Sequence, residues 1–105
     1  MLWKYIAGNN IYHALNVANK LLKKHYIPII NYTTESASDT RDTITNTLEY
    51  ENIFTRLSHR KDNVQVAIKL SQFLFNERLI NMTISMFSSK NIPVLIDAEN
   101  NSNYD

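Results

Sequence analysis

The chain has 105 residues, 44% hydrophobic and 20% charged, with a formal net charge of +1. That is enough for one domain with a modest core, and too little for a complete eight-stranded α/β barrel, which takes roughly 200 to 250 residues. With no cysteine there is no disulfide framework, thiolate metal site or cysteine nucleophile, and the scattered lysines give no clustered basic footprint for nucleic acid.

The first predicted element is a helix. Ile11, Ala14, Leu15, Ala18, Leu21 and Leu22 recur on one helical face, with Asn9 or Asn10 as N-cap and lysines at the C-terminal end. Tyr26 to Tyr32 is a short apolar run rich in β-branched and aromatic residues and reads as a buried strand, with Pro28 tolerable near its start. The polar stretch Thr33 to Asp39 is a strand-to-helix loop whose Ser38 or Asp39 opens a second helix. That helix carries Ile44, Leu48, Phe54 and Leu57 as its apolar stripe, with Tyr50 and Ile53 beside it. Val64 to Leu70 alternates and predicts a second strand. A third helix around Glu77 to Lys90 buries Leu79, Ile80, Thr83, Ile84 and Phe87, and Ile92 to Ile96 is a third strand. A polar, asparagine-rich tail runs from Ala98 to Asp105.

The order helix, strand, helix, strand, helix, strand predicts an α/β fold: parallel strands alternating with helices (αβαβαβ), with strand starts ~30 to 40 residues apart and right-handed crossovers. The single glycine excludes glycine-rich phosphate loops. No apolar run reaches ~18 residues, so no transmembrane segment is expected, and the opening residues lack a secretory signal pattern. His13, His25 and His59 share no metal-ligand spacing, so no metal is expected. Ser36 and Ser38 have no adjacent histidine to activate them.

Parity assigns the ionisable residues to faces. If Tyr32, Ile68 and Ile96 face the helices, then Glu35, Lys69, Asp97 and Glu99 share the opposite face. All four lie at the carboxyl end of a predicted strand, where α/β proteins place ligand-binding and catalytic groups. A lysine among carboxylates suits a small anion, with a bound carboxylate completing the set. Strand ends also carry polar residues simply because they leave the core, so a solvated lysine stands as the alternative.

Tyr5-Ile6-Ala7-Gly8, a helix, then Ile30-Asn31-Tyr32-Thr33-Thr34-Glu35 resembles the opening of the proline dehydrogenase (proline oxidase) barrel, with its F-V-A-G stretch and its strand ending L-D-Y-x-x-E. Val66-Ala67-Ile68-Lys69-Leu70-Ser71 resembles that family's V-S-I-K-L-S strand, and Ile96-Asp97-Ala98-Glu99 its I-D-A-E strand. The resemblance covers about residues 5 to 99, in order; Thr34 stands where the family has a glycine. It implies a single partial domain, the first three strands of a TIM-like (β/α)8 barrel that binds FAD. Its implied activity is oxidation of L-proline to 1-pyrroline-5-carboxylate in proline catabolism, with electrons passed to a quinone. By matching motif, Lys69 would bind the proline carboxylate beside the flavin, and Glu35 would pair with a substrate-binding arginine. Asp97 would be an active-site aspartate near substrate and flavin, with Glu99 its neighbour in the motif. The family is mitochondrial in eukaryotes, and inner-membrane associated or cytoplasmic in bacteria.

The later strands, most flavin contacts and the arginine-bearing helix of that family have no counterpart in these residues. No turnover is therefore expected from this chain alone, and open strand edges favour association with a missing barrel half or with a second copy. Two other readings stay open: a non-catalytic truncated barrel fragment, and another α/β-barrel enzyme that binds a small anionic metabolite.

Overall fold

The computed structural model describes residues 2–8, 10–34 and 36–97, with the backbone alone described for 2–8. The elements are β1 (Leu2–Gly8), α1 (Ile11–Lys23), β2 (Tyr26–Tyr32), α2 (Thr40–Leu57), β3 (Gln65–Ile68), a 3-10 turn (Leu70–Phe73), α3 (Glu77–Ser88) and β4 (Val94–Ile96). The expected α/β alternation is present, with one strand more than the sequence pattern suggested. Residues of β1 include Lys4 and Gly8, weak strand formers, so the segment has little signature of its own. It is held by pairing along its whole length, from Leu2 beside Tyr26 to Gly8 beside Tyr32.

Local chemistry sets the helix limits. Asn10 caps α1, its side chain accepting from the N–H groups of Tyr12 (2.9 Å) and His13 (3.3 Å). Asp39 caps α2 and Asn76 caps α3 in the same way. After α3, Asn91 takes a left-handed conformation (φ 58°). Its N–H donates to Ser88 and that of Ile92 to Phe87, closing the helix with a Schellman arrangement. The second and third predicted strands are shorter than expected. Leu70 leaves the strand for the 3-10 turn, which ends at Leu74 and Phe75, both with positive φ (50° and 55°).

All four strands are parallel, in the order β1-β2-β3-β4. One buried cluster joins all three helices to one face of the sheet. Ile11, Ala14 and Ala18 come from α1, Tyr50, Ile53 and Leu57 from α2, and Ile80 and Phe87 from α3, packed on Ile30, Val66 and Ile68 of the strands. Pairing of β2 with β3 begins at Ile29, so Pro28 forms no pair on that side.

The stripe of α2 differs from the expected one. Thr43, Asn46, Tyr50, Ile53 and Leu57 are buried, whereas Ile44 and Leu48 are 55% and 58% exposed. The spacing 43, 46, 50, 53, 57 is the true inward face. Its polar members are there to meet backbone groups: Asn46 donates its amide to the carbonyl of Gln72 at 2.9 Å, and Thr43 its hydroxyl to that of Thr40 at 2.6 Å.

Candidate functional site

Strand register places the candidate residues. Ile30, Val66 and Val94 are lateral partners, as are Asn31, Ala67 and Leu95 in the next row. The first row faces the helices, since Ile30 and Val66 belong to the core and Val94 packs against it. The second row therefore faces away. Two residues on, Lys69 and Asp97 occupy that same outward parity, one past the ends of β3 and β4. The N–H of Asp97 donates to the carbonyl of Ile68 at 2.8 Å, so the ladder continues to this level.

Tyr32 and Ile68 lie on the helix side as expected, with Tyr32 edge-on to Tyr50 at 5.7 Å. Ile96 shares their parity but is 50% exposed, because β4 is an edge strand of three residues. Lys69 and Asp97 are thus neighbours at the carboxyl edge, both partly buried. They do not touch as an ion pair; among the described residues the one such pair is Arg60–Asp62, at 2.7 Å. Glu35 and Glu99 lie outside the described residues.

Lys69 is positioned by its backbone. Its N–H donates to Oε1 of Gln72 at 3.2 Å. Gln72 is fully buried and ties three elements together beneath the strand ends. Its amide nitrogen donates to the carbonyl of Tyr32 at 3.0 Å, its carbonyl accepts from Asn46 of α2, and its Oε1 also accepts from the Tyr50 hydroxyl. Burial pushes the Tyr50 phenol well above its ordinary value, and it is locked as a donor. Burial, and then the nearby Glu49 charge, also raise the Tyr32 phenol.

The outward face carries a second feature. Ile29 and Ala67 are 2% and 0% exposed there, although all three helices pack on the other side. Beside Ala67 in the same row lies Asn31, whose Oδ1 is buried without a hydrogen-bond partner. Rotating the amide would only exchange a buried acceptor for a buried donor. Two rows further toward the carboxyl edge stand Lys69 and Asp97. A cation and a carboxylate therefore stand at the carboxyl edge beyond a stretch of sheet that is itself closed to solvent at Ala67 and at the Asn31 Oδ1. Of this set, the partly exposed Lys69 and Asp97 are the groups open to a ligand.

A second hollow, about 380 Å³, lies by the strand-to-helix loop, lined by Tyr32, Thr34, Ser36, Ser38, Asp42 and Asn46. Asp42 accepts there from the N–H (2.9 Å) and hydroxyl (2.8 Å) of Ser38, which hold its carboxyl below the usual range. Lys69 and Asp97 do not line it.

Strand parity was enough to pair Lys69 with Asp97 in the sequence. Asn31 and Gln72 were missed: one reads as an interruption of an apolar strand, the other as part of a polar connection. No family model and no curated protein matches this chain.

Proposed function

We propose that this chain is part of a proline dehydrogenase-type barrel whose carboxyl edge binds L-proline beside FAD. The observation that carries the reading is the placement of Lys69 and Asp97, level with each other after adjacent parallel strands and on the face away from the helices. Sequential strands with every helix on one face are how a (β/α)8 barrel wall is wound; in that fold the strand ends carry the chemistry.

Proline at neutral pH is a zwitterion. Lys69 supplies the cation for its carboxylate, and Asp97 the negative charge for its ammonium group. Of the residues present, Lys69 offers a cation to the ring end of a flavin, while the Asn31 Oδ1 is closed to solvent and offers it no acceptor. When bound, FAD supplies the two-electron acceptor for oxidation of the ring carbon–nitrogen bond. The chain's own contribution is to bind and orient. Gln72 holds the Lys69 backbone, so the ammonium group starts from a fixed Cα.

The test is binding rather than turnover. L-proline titrated into the purified chain with FAD present should bind, and Lys69→Met should weaken it about tenfold or more with the circular dichroism spectrum unchanged. Proline affinity unaltered by Lys69→Met rejects the reading. If other small carboxylates bind with proline excluded, the edge serves a different anionic metabolite.

A further inference from the structure

The opposite edge of the sheet carries a different chemistry. Strands and helices alternate in direction, so the carboxyl ends of the helices gather at the amino ends of the strands. Lys20, Lys23 and Lys24 close α1, and Arg56 stands in the last turn of α2. Arg60 and Lys61 follow α2, and Lys90 follows α3. These are seven of the chain's eleven Lys and Arg. Cations in a last helical turn are accounted for by the helix dipole. Lys61 and Lys90 stand beyond the last turns, and they line a hollow of about 290 Å³ together with Arg60. That volume is at the small end of ligand pockets, roughly 300 to 1,000 Å³.

The floor of the hollow is apolar, built from the buried side chains of Leu57, Val64 and Ile92. On its wall, Arg60 is committed. Its Nε donates to Asp62 Oδ1 at 2.9 Å, and one terminal nitrogen donates both to Asp62 Oδ2 (2.7 Å) and to Asn19 of α1 (2.6 Å). Arg60 holds the Asp62 carboxyl below its usual range, so the pair stays ionised and neutral overall. Among the described residues no carboxylate pairs with Lys61 or Lys90, which leaves two positive charges at one small hollow. The side-chain amides of Asn63 and Asn91, also in the lining, add neutral donors.

We infer that this hollow is a phosphoryl-binding site, separate from the carboxyl edge. Two spare ammonium groups match a phosphate monoester, which carries about −1.5 to −2 at pH 7, where a carboxylate would leave one charge unbalanced. The terminal carbonyls of α2 and α3 oppose an anion here, so the lysines must supply the attraction. The shared chemistry is the phosphoryl group, whether on a soluble metabolite or a lipid headgroup.

The test is amide NMR of the full chain titrated with inorganic phosphate, with chloride adjusted to constant ionic strength. Saturable shifts at Asn63 and Asn91 are expected, with acetate binding far more weakly. The double substitution Lys61→Gln, Lys90→Gln should weaken phosphate about tenfold or more. Lys23→Gln with Lys24→Gln, outside the hollow, should not. All four lysines are exposed, and a thermal melt confirms that each variant folds. Co-sedimentation with phosphatidic acid vesicles, absent with phosphatidylcholine and lost in the Lys61, Lys90 variant, supports the site with a lipid as the source. Shifts reproduced by chloride alone, or equal phosphate affinity in the two double variants, overturn the inference.

Discussion

The amide nitrogen of Gln72 donates to the carbonyl of Tyr32 at 3.0 Å, joining the end of β2 to the turn after β3 across 40 residues of sequence. The same side chain receives the Tyr50 hydroxyl and the Lys69 N–H. Replacing it with alanine would take this partner from the Tyr32 carbonyl and the Lys69 N–H, and leave the Tyr50 hydroxyl only the Ala67 carbonyl at 3.5 Å. Gln72→Ala should cost about 3 kcal/mol in urea denaturation, and Tyr50→Phe only about 1 kcal/mol. Equal losses for the two would deny Gln72 its central position.

Alkaline pH should expose the buried phenols. Tyr50 and Tyr32 both have raised values in the folded chain, against an ordinary value of 10.0. Below that value both states hold the proton and the stabilisation is complete. As pH rises past it, the unfolded state loses protons that the folded state keeps, so stability falls until the folded groups titrate. Melting temperatures measured from pH 9 to about 11 should fall, and Tyr50→Phe should flatten the decline. A slope unchanged by that substitution would assign the alkaline loss to other groups.

At Asn31 the expectation runs opposite to most buried substitutions. Its Oδ1 has no partner, so Asn31→Leu should be neutral or stabilising by up to about 1 kcal/mol. Asn46→Ala removes a bonded amide and should cost about 1 to 2 kcal/mol. Chemical denaturation of the pair decides it; an Asn31→Leu loss as large as that of Asn46→Ala would mean that the amide is satisfied.

Leu74 sits at φ 50°, in the left-handed region, and is 44% exposed. A side chain in that conformation is strained, and glycine is not. Leu74→Gly should raise stability by about 0.5 to 1 kcal/mol in a thermal melt. A decrease would show that the half-buried leucine contributes more by packing than it loses in the backbone.

On α2, Ile44→Lys and Leu48→Lys should change stability by no more than about 0.5 kcal/mol, whereas Ile53→Ala should cost about 2 to 4 kcal/mol. The comparison tests which side of the helix meets the sheet. Destabilisation by the lysines would place a covering element over Ile44 and Leu48.

Much of the architecture was legible because apolar spacing carries it. The period of α1, the alternation of Val64, Val66 and Ile68, and the stripe of α3 all follow from side chains that must leave water. Parity then placed Lys69 and Asp97 on the face opposite Ile68 and Ile96. The failures came where polarity and burial part company. In α2, Ile44 and Leu48 point outward while Thr43 and Asn46 point in, Asn46 meeting the Gln72 carbonyl of the turn after β3 and Thr43 the Thr40 carbonyl of its own helix. Segment β1 was missed because its fold comes from a partner strand, information absent from seven residues read alone. Gln72 looked like a loop residue because nothing in its neighbours announces a buried hub.

The strands lie side by side in the order in which the ribosome makes them. Each new strand docks on the one just before it, with a single helix spanning the gap. Such a chain needs no strand threaded between two earlier ones, which favours vectorial folding, although each parallel pairing still closes a span of 24 to 36 residues. It can start from β1–α1–β2 during synthesis and grow by accretion, β3 docking on β2 and β4 on β3.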